Sequence, residues 1–171
     1  MANWLNLSRL KEWEFAFYVG FAYDAVTDAD IEAALSDVTN LAQVDVRLDW
    51  EDDRWLKQHT GIPATQKHAY RIAALVHAFR AGDVMRHAIE LDTYVVPQCC
   101  SCVCNGHHRI RALQYLGVPA APFGLAGLLD ALEDLVRKAA AECPPDAARY
   151  FSPELLAPAA DDVLLVDNVP A

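Results

Sequence analysis

One stretch concentrates the side chains that do chemistry: Cys102-Val103-Cys104-Asn105-Gly106-His107-His108-Arg109-Ile110-Arg111. Cys100 to Cys104 reads as a short buried strand, Asn105-Gly106 as a sharp turn, and His107 to Leu116 as a helix closed by Gly117. Amide groups that open a helix lack internal partners, and the helix dipole is positive there. Gly106 lets the backbone approach a ligand closely, and His107, His108 and Arg109 add donors, so the pattern predicts an anion site suited to phosphate. Cations at a helix start are locally unfavourable by roughly 0.3–1 kcal/mol each, so three in a row call for a resident anion. The competing reading is an ordinary tight turn with solvated polar residues.

The thiols invite a second chemistry. Cys99, Cys100, Cys102 and Cys104 stand beside His107 and His108, yet structural zinc sites favour Cys-x-x-Cys pairs. Alternate residues of a strand share a face at about 7 Å, a spacing that suits small buried side chains better than a tetrahedron. Glu90 and Asp92 share a face of a strand candidate, Arg86 to Val96, and Glu90 is the carboxylate nearest in sequence for Mg²⁺; a solvent-facing strand residue is the alternative. Asp49, Glu51, Asp52 and Asp53 form another acidic run, read as a solvated turn with the capacity to supply a metal ligand. His68, His77 and His87 have no partners at ligand spacing and are read as structural. The chain has no GxxxxGK[ST] loop, GxSxG elbow or Cys-x-x-Cys pair, which argues against P-loop NTPases, α/β hydrolases and thioredoxins.

The elements that must position these groups follow from pattern. Thr27 or Asp28 caps a helix to about Ala42, with Ile31, Leu35, Val38 and Leu41 on one face. Gln43 to Trp50 alternates like a half-buried strand. Gly61 and Pro63 mark a loop, Tyr70 to Ala81 a helix ended by Gly82, and Val118 to Leu125 an extended segment. Gly127 to Cys143 reads as an amphipathic helix, and the proline-rich tail from Pro144 as irregular chain that wraps over the core or waits for a partner. Residues 4–23 are dense in aromatics whose spacing fits neither helix nor strand cleanly.

With 171 residues, 54 % of them apolar, the chain has the length and composition of one domain with a core. Its 14 basic and 24 acidic side chains sum to -10, which disfavours nucleic-acid binding along the whole surface. The charge is graded: residues 1–50 and 112–171 each carry 3 basic and 9 acidic groups, whereas 51–111 carry 8 basic, 6 acidic and all six histidines. No stretch reads as a membrane span or export signal, and the odd, crowded cysteines do not form a secreted disulfide framework, so a cytoplasmic location is expected.

Gly106-His107-His108-Arg109-Ile110-Arg111-Ala112 resembles the Gly-x-x-Arg-x-x-Ala motif of ParB partition proteins and the Gly-Cys-His-Arg turn of sulfiredoxin, which share a fold. Ile62-Pro63-Ala64-Thr65-Gln66 resembles the Pro-and-Gln box before the first ParB helix, Arg71 through Gly82 that helix, and Ala88-Ile89-Glu90-Leu91 its succeeding strand. Val118-Pro119-Ala120-Ala121-Pro122 stands where the family returns to the sheet, so the resemblance covers roughly residues 60–125.

The resemblance implies an α/β (α+β) fold of the ParB/sulfiredoxin type, a small mixed sheet flanked by helices. It implies an N-terminal extension over 1–55, a core over 56–143 and a tail over 144–171. It also implies phosphates cradled by Gly106, His107, His108 and Arg109, with Arg71 where sulfiredoxin has a phosphate-binding Lys. Proton transfer falls to His107 or His108 and metal to Glu90, with ATP and Mg²⁺ as cofactors. Ala74 and Ala78 replace the family's small hydroxyl residues, and Asn105 its usual Asp. His107 replaces the sulfiredoxin nucleophile, so peroxiredoxin repair is not carried over; nor is centromere binding, since the partition proteins' further domains have no counterpart. The expected function is ATP hydrolysis, extending to Mg²⁺-dependent DNA cleavage, in the manner of plasmid fertility-inhibition factors of the Osa type that block conjugation. DNA and a protein of the conjugation machinery are the implied partners. The alternative is a non-enzymatic inhibitor or adaptor that binds a protein through its acidic, aromatic ends.

Overall fold

The computed structural model describes residues 4–7, 26–47, 53–92, 102–126, 140–141 and 144–157. In chain order these form β1 (Trp4–Asn6), α1 (Asp28–Ser36), α2 (Val38–Leu41), α3 (Arg54–Gln58), α4 (Ala64–Arg80), β2 (Ile89–Asp92) and β3 (Cys102–Asn105). There follow α5 (His107–Tyr115), β4 (Ala120–Ala126), β5 (Ala140–Ala141), a 3-10 helix (Pro145–Tyr150) and α6 (Pro153–Leu156). The chain is therefore a mixed helix-and-strand protein of the α+β kind. It divides into two compact units that are each discontinuous in sequence. Met1–Val19, Val84–Gly106 and Val118–Ala171 contain the strands, and Gly20–Asp83 with His107–Gly117 contains α1 to α5.

In the strand-bearing unit the order is β3-β2-β4-β1-β5. β2 runs parallel to β4, and the other pairings are antiparallel, so the sheet is mixed. Leu91 sits opposite Val103 on one side and Leu125 on the other, with a register shift between Glu90 and Leu91. Ile89, Ala120, Ala121 and Phe123 are buried. The expected strands at Arg86–Val96, Cys100–Cys104 and Val118–Leu125 thus have counterparts, although 93–101 lie outside the described residues.

Two expectations are corrected in this unit. Ala140 and Ala141, expected inside the amphipathic helix over Gly127 to Cys143, pair instead with Leu5 and Trp4; residues 127–139 lie outside the described residues. The start of the tail is not irregular either. Tyr150 O accepts from Met85 N at 2.8 Å, Ser152 N donates to Met85 O at 2.9 Å, and the Phe151 ring meets Trp4 edge-on at 5.2 Å. Burial of Tyr150 and Phe151 holds this proline-containing segment in place, with prolines at the first helical positions, where a missing N–H costs nothing.

In the helical unit α1 opens with a reciprocal cap. Thr27 Oγ1 accepts from Asp30 N at 3.2 Å, and Asp30 Oδ2 accepts from Thr27 N at 2.8 Å. Thr27→Ala removes the cap and should lower unfolding free energy by about 1 kcal/mol in urea melts. The helix does not run on to Ala42: Asp37 breaks it, accepts from Asn40 N to start α2, and accepts from Tyr70 Oη at 2.7 Å. A side chain that hydrogen-bonds forward competes with the helix it would otherwise continue.

α4 begins at Ala64, six residues before the apolar pattern becomes legible, because Pro63 starts the helix without needing a hydrophobic face. It ends in a left-handed turn: Gly82 has φ of 93°, Asp83 N donates to Ala78 O at 2.9 Å, and Gly82 N donates to Phe79 O at 3.2 Å. A Cβ on Gly82 would meet nothing within 4 Å, so the cost of Gly82→Ala is backbone strain alone. Thermal denaturation should show a loss of about 1–2 kcal/mol.

The strand expected over Gln43–Trp50 is absent over 43–47, where turns at 43 and 46–47 flank irregular chain; 48–50 lie outside the described residues. Alternation alone does not make a strand. Here the Asp45 and Val46 carbonyls, which a ladder would need, accept from the Arg71 guanidinium instead.

Candidate functional site

α4 and α5 pack together and run in the same direction. Near their starts His68 Nδ1 lies 2.9 Å from His108 Nε2, with the rings stacked at 5.1 Å between centroids. Near their ends the Arg80 guanidinium lies 5.6 Å from the centre of the Tyr115 ring. Apolar side chains hold both helices in place: Ile72, Ala73 and Val76 on α4 and Ile110, Ala112 and Leu113 on α5 are all buried.

Parallel packing brings two positive helix ends to one side of the unit. Neither first turn contains an acidic residue, and Pro63 supplies no side-chain cap to α4. Two arginines and three histidines gather at the same end. His108 feels, after burial, the charges of His68, Arg71, His107 and Arg109, in that order of influence. Burial pushes His68 and His107 down to about 4, and His108 well below the ordinary histidine range. The cluster is therefore three neutral imidazoles beside two permanent cations at pH 7.

A folded-state histidine held below its unfolded value binds fewer protons than the unfolded chain between the two values. Stability therefore falls as pH drops from about 6.5 to about 4. The buried His68 alone should contribute a loss on the order of 3 kcal/mol across that window. Urea melts at successive pH values check it; a flat profile would contradict the buried neutral cluster.

The sequence-selected residues are distributed as follows. His107, His108 and Arg109 form the first turn of α5 and share the cluster with Arg71. Gly106 precedes that turn with φ of 106°, a left-handed conformation that disfavours any side chain. Arg71 is buried: Nη1 donates to Asp45 O at 2.6 Å and to Asp53 Oδ2 at 3.4 Å, and Nη2 donates to Val46 O at 3.3 Å. Glu90 is exposed on β2, with Asn105 and Gly124 as its strand neighbours. Cys102 and Cys104 belong to β3; Cys99 and Cys100 lie outside the described residues. No group of three or more His, Cys, Asp or Glu is placed to hold a metal among the described residues.

Two residues gain a different meaning from that expected. His68, read as structural, is a member of the cluster; its position three residues before Arg71 places both on one helix face, which was the available signal. Asp53, read as part of a solvated turn, is 1 % exposed, pairs with Arg71 and accepts from Trp55 N at 2.9 Å. Charge runs give no sign of which member turns inward. Beside it Trp55 stacks on His59 at 4.6 Å and meets Tyr70 edge-on at 4.9 Å, and its buried Nε1 has no hydrogen-bond partner among the described residues.

No helix among the described residues is long and apolar enough to cross a membrane. Comparison with models of known families, with curated proteins and with solved structures found no match for this chain.

Proposed function

We propose that this chain binds the phosphates of a nucleoside triphosphate at the paired starts of α4 and α5 and hydrolyses ATP there, on a ParB/sulfiredoxin-like fold. The observation that carries the reading is the convergence of two positive helix ends, that of α4 without a side-chain cap, on His107, His108, Arg109 and Arg71. The α5 amides and Arg109 take the terminal phosphate charge. Arg71, committed to Asp53 and two carbonyls, contributes its field from behind. Water attacks the terminal phosphorus, its proton passes to His107 or His108, and the bond to the bridging oxygen breaks to release ADP. Such chemistry rests on positioning and charge neutralisation.

Mg²⁺ suits this reading because it needs few protein ligands and takes phosphate oxygens and waters. Cleavage of DNA phosphodiesters is the same displacement on another substrate. The test is a thermal-shift titration with ATP, GTP and CTP plus Mg²⁺, paired with a phosphate-release assay. Saturation at 100 times Kd should add about 2.7 kcal/mol of stability. No shift with any nucleotide would overturn the reading.

The acidic flanks, 3 basic against 9 acidic groups at each end, favour a second reading in which the chain binds a protein, such as a component of conjugation machinery, without catalysis. Nucleotide binding with no phosphate release would select it.

A further inference from the structure

His59 closes α3 with its ring locked in one orientation and one tautomer. The Trp55 carbonyl accepts twice from it, from the backbone N at 3.1 Å and from ring Nδ1 at 2.8 Å. A carbonyl oxygen cannot donate, so Nδ1 carries the hydrogen and, in the uncharged ring, Nε2 carries the lone pair. The ring lies against the Trp55 indole, with centroids 4.6 Å apart and planes 28° apart. Trp55 itself is 3 % exposed and meets Tyr70 edge-on at 4.9 Å, so the support is fixed. His59 is half-buried, and its Nε2 has no hydrogen-bond partner among the described residues.

We propose that His59 Nε2 is a phosphoryl acceptor: it takes the γ-phosphoryl of ATP bound at the start of α4 and holds it as a phosphohistidine. The Nε2 lone pair forms the bond to the γ-phosphorus, the bond from that phosphorus to the β,γ-bridging oxygen breaks, and its electron pair leaves with ADP. The Nδ1 hydrogen stays on the Trp55 carbonyl throughout. Water then displaces the imidazole from phosphorus and gives a proton to solvent, which releases inorganic phosphate and restores the Nε2 lone pair. The proposal rests on the phosphate reading above and adds a second acceptor to the water invoked there.

Placement and charge favour transfer to this nitrogen. Ile62 N donates to His59 O at 3.2 Å, which turns the chain directly before Pro63, the N-cap residue of α4, so His59 belongs to the corner where that helix starts. Between 53 and 68 the only carboxylate is Asp53, which pairs with Arg71, whereas Arg54, Lys57 and Lys67 are cationic. A phosphate group arriving at this corner therefore meets no opposing charge. The ring becomes positive as the nitrogen–phosphorus bond forms. The Trp55 carbonyl on Nδ1 and the face of the Trp55 indole both stabilise that charge. Trp55 is then a positioning residue: it fixes the ring and leaves Nε2, not Nδ1, as the nucleophile.

Incubating the full chain with Mg²⁺ and ATP labelled in the γ-phosphate, then quenching in alkali, tests the transfer, because a phosphorus–nitrogen bond survives base and is lost in acid. Label should stay with the protein in alkali, disappear after acid treatment and map to His59 in tandem mass spectra, with ³¹P and ¹⁵N spectra placing it on Nε2. His59→Gln retains a donor for the Trp55 carbonyl but has no nucleophilic nitrogen. Its protein-bound label should fall to background while ATP still produces a thermal shift. Should that variant not fold, mapping in the wild type decides. Label on His68, His107 or His108, label on Nδ1 of His59, or undiminished label in His59→Gln overturns the proposal. ATP binding or phosphate release with no label on His59 also overturns it and leaves the phosphate site standing. Absence of ATP binding overturns both.

Discussion

Asp53→Ala should unfold with about 3–5 kcal/mol less free energy than the wild type. The carboxylate and the guanidinium it faces are both almost fully buried, at 1 % and 9 % side-chain exposure, and their 3.4 Å contact is joined by the Asp45 and Val46 carbonyls on the same guanidinium. Removing the anion leaves a cation surrounded only by dipoles, where desolvation is no longer offset by Coulomb attraction. Asp53 Oδ1 also accepts from Trp55 N, so the start of α3 loses a partner at the same time. Chemical denaturation measures the loss, and Asp53→Ala combined with Arg71→Met should recover part of it, since the stranded charge is then gone. A loss below about 1 kcal/mol in the single variant would mean that the pair is not buried in solution.

The second large effect concerns chemistry. Arg109→Ala should lower the rate of phosphate release from ATP by about 10²–10³-fold, the usual consequence of removing one donor aimed at developing charge. Stability should change by no more than about 0.5 kcal/mol, because the side chain is only half-buried and the apolar face of α5 is contributed by Ile110, Ala112 and Leu113. The same change removes one of the cations that hold His108 below its ordinary value, so any residual activity should show its acidic limb at higher pH. That shift separates an electrostatic role from a merely structural one. Wild-type rates in Arg109→Ala would remove hydrolysis from this site.

The helix starts carried their own signals. Thr27 and Asp30 are three residues apart, the spacing of a reciprocal cap; Gly82 and Gly117 end their helices at positive φ, and Gly106 turns β3 into α5. Such features are decided within a few residues, so α1, α5 and the end of α4 were legible from sequence. His107, His108 and Arg109 are consecutive and gather by themselves, whereas only the family resemblance put Arg71 with them. By contrast the strand expected at Gln43 was a matter of carbonyl partners, and those came from Arg71, 26 residues away from Asp45.

What the sequence by itself determined, then, is the local grammar: caps, glycine turns, the apolar faces of α4 and α5, and the His-His-Arg start of α5. Tertiary structure alone decided that α4 and α5 lie parallel, that His68 meets His108 across 40 residues of chain, and that Asp53 turns inward against Arg71. The physical reason is that each of these depends on a partner distant in sequence. A histidine on a helix or an aspartate in a charged run has the same local pattern whether water or another side chain satisfies it.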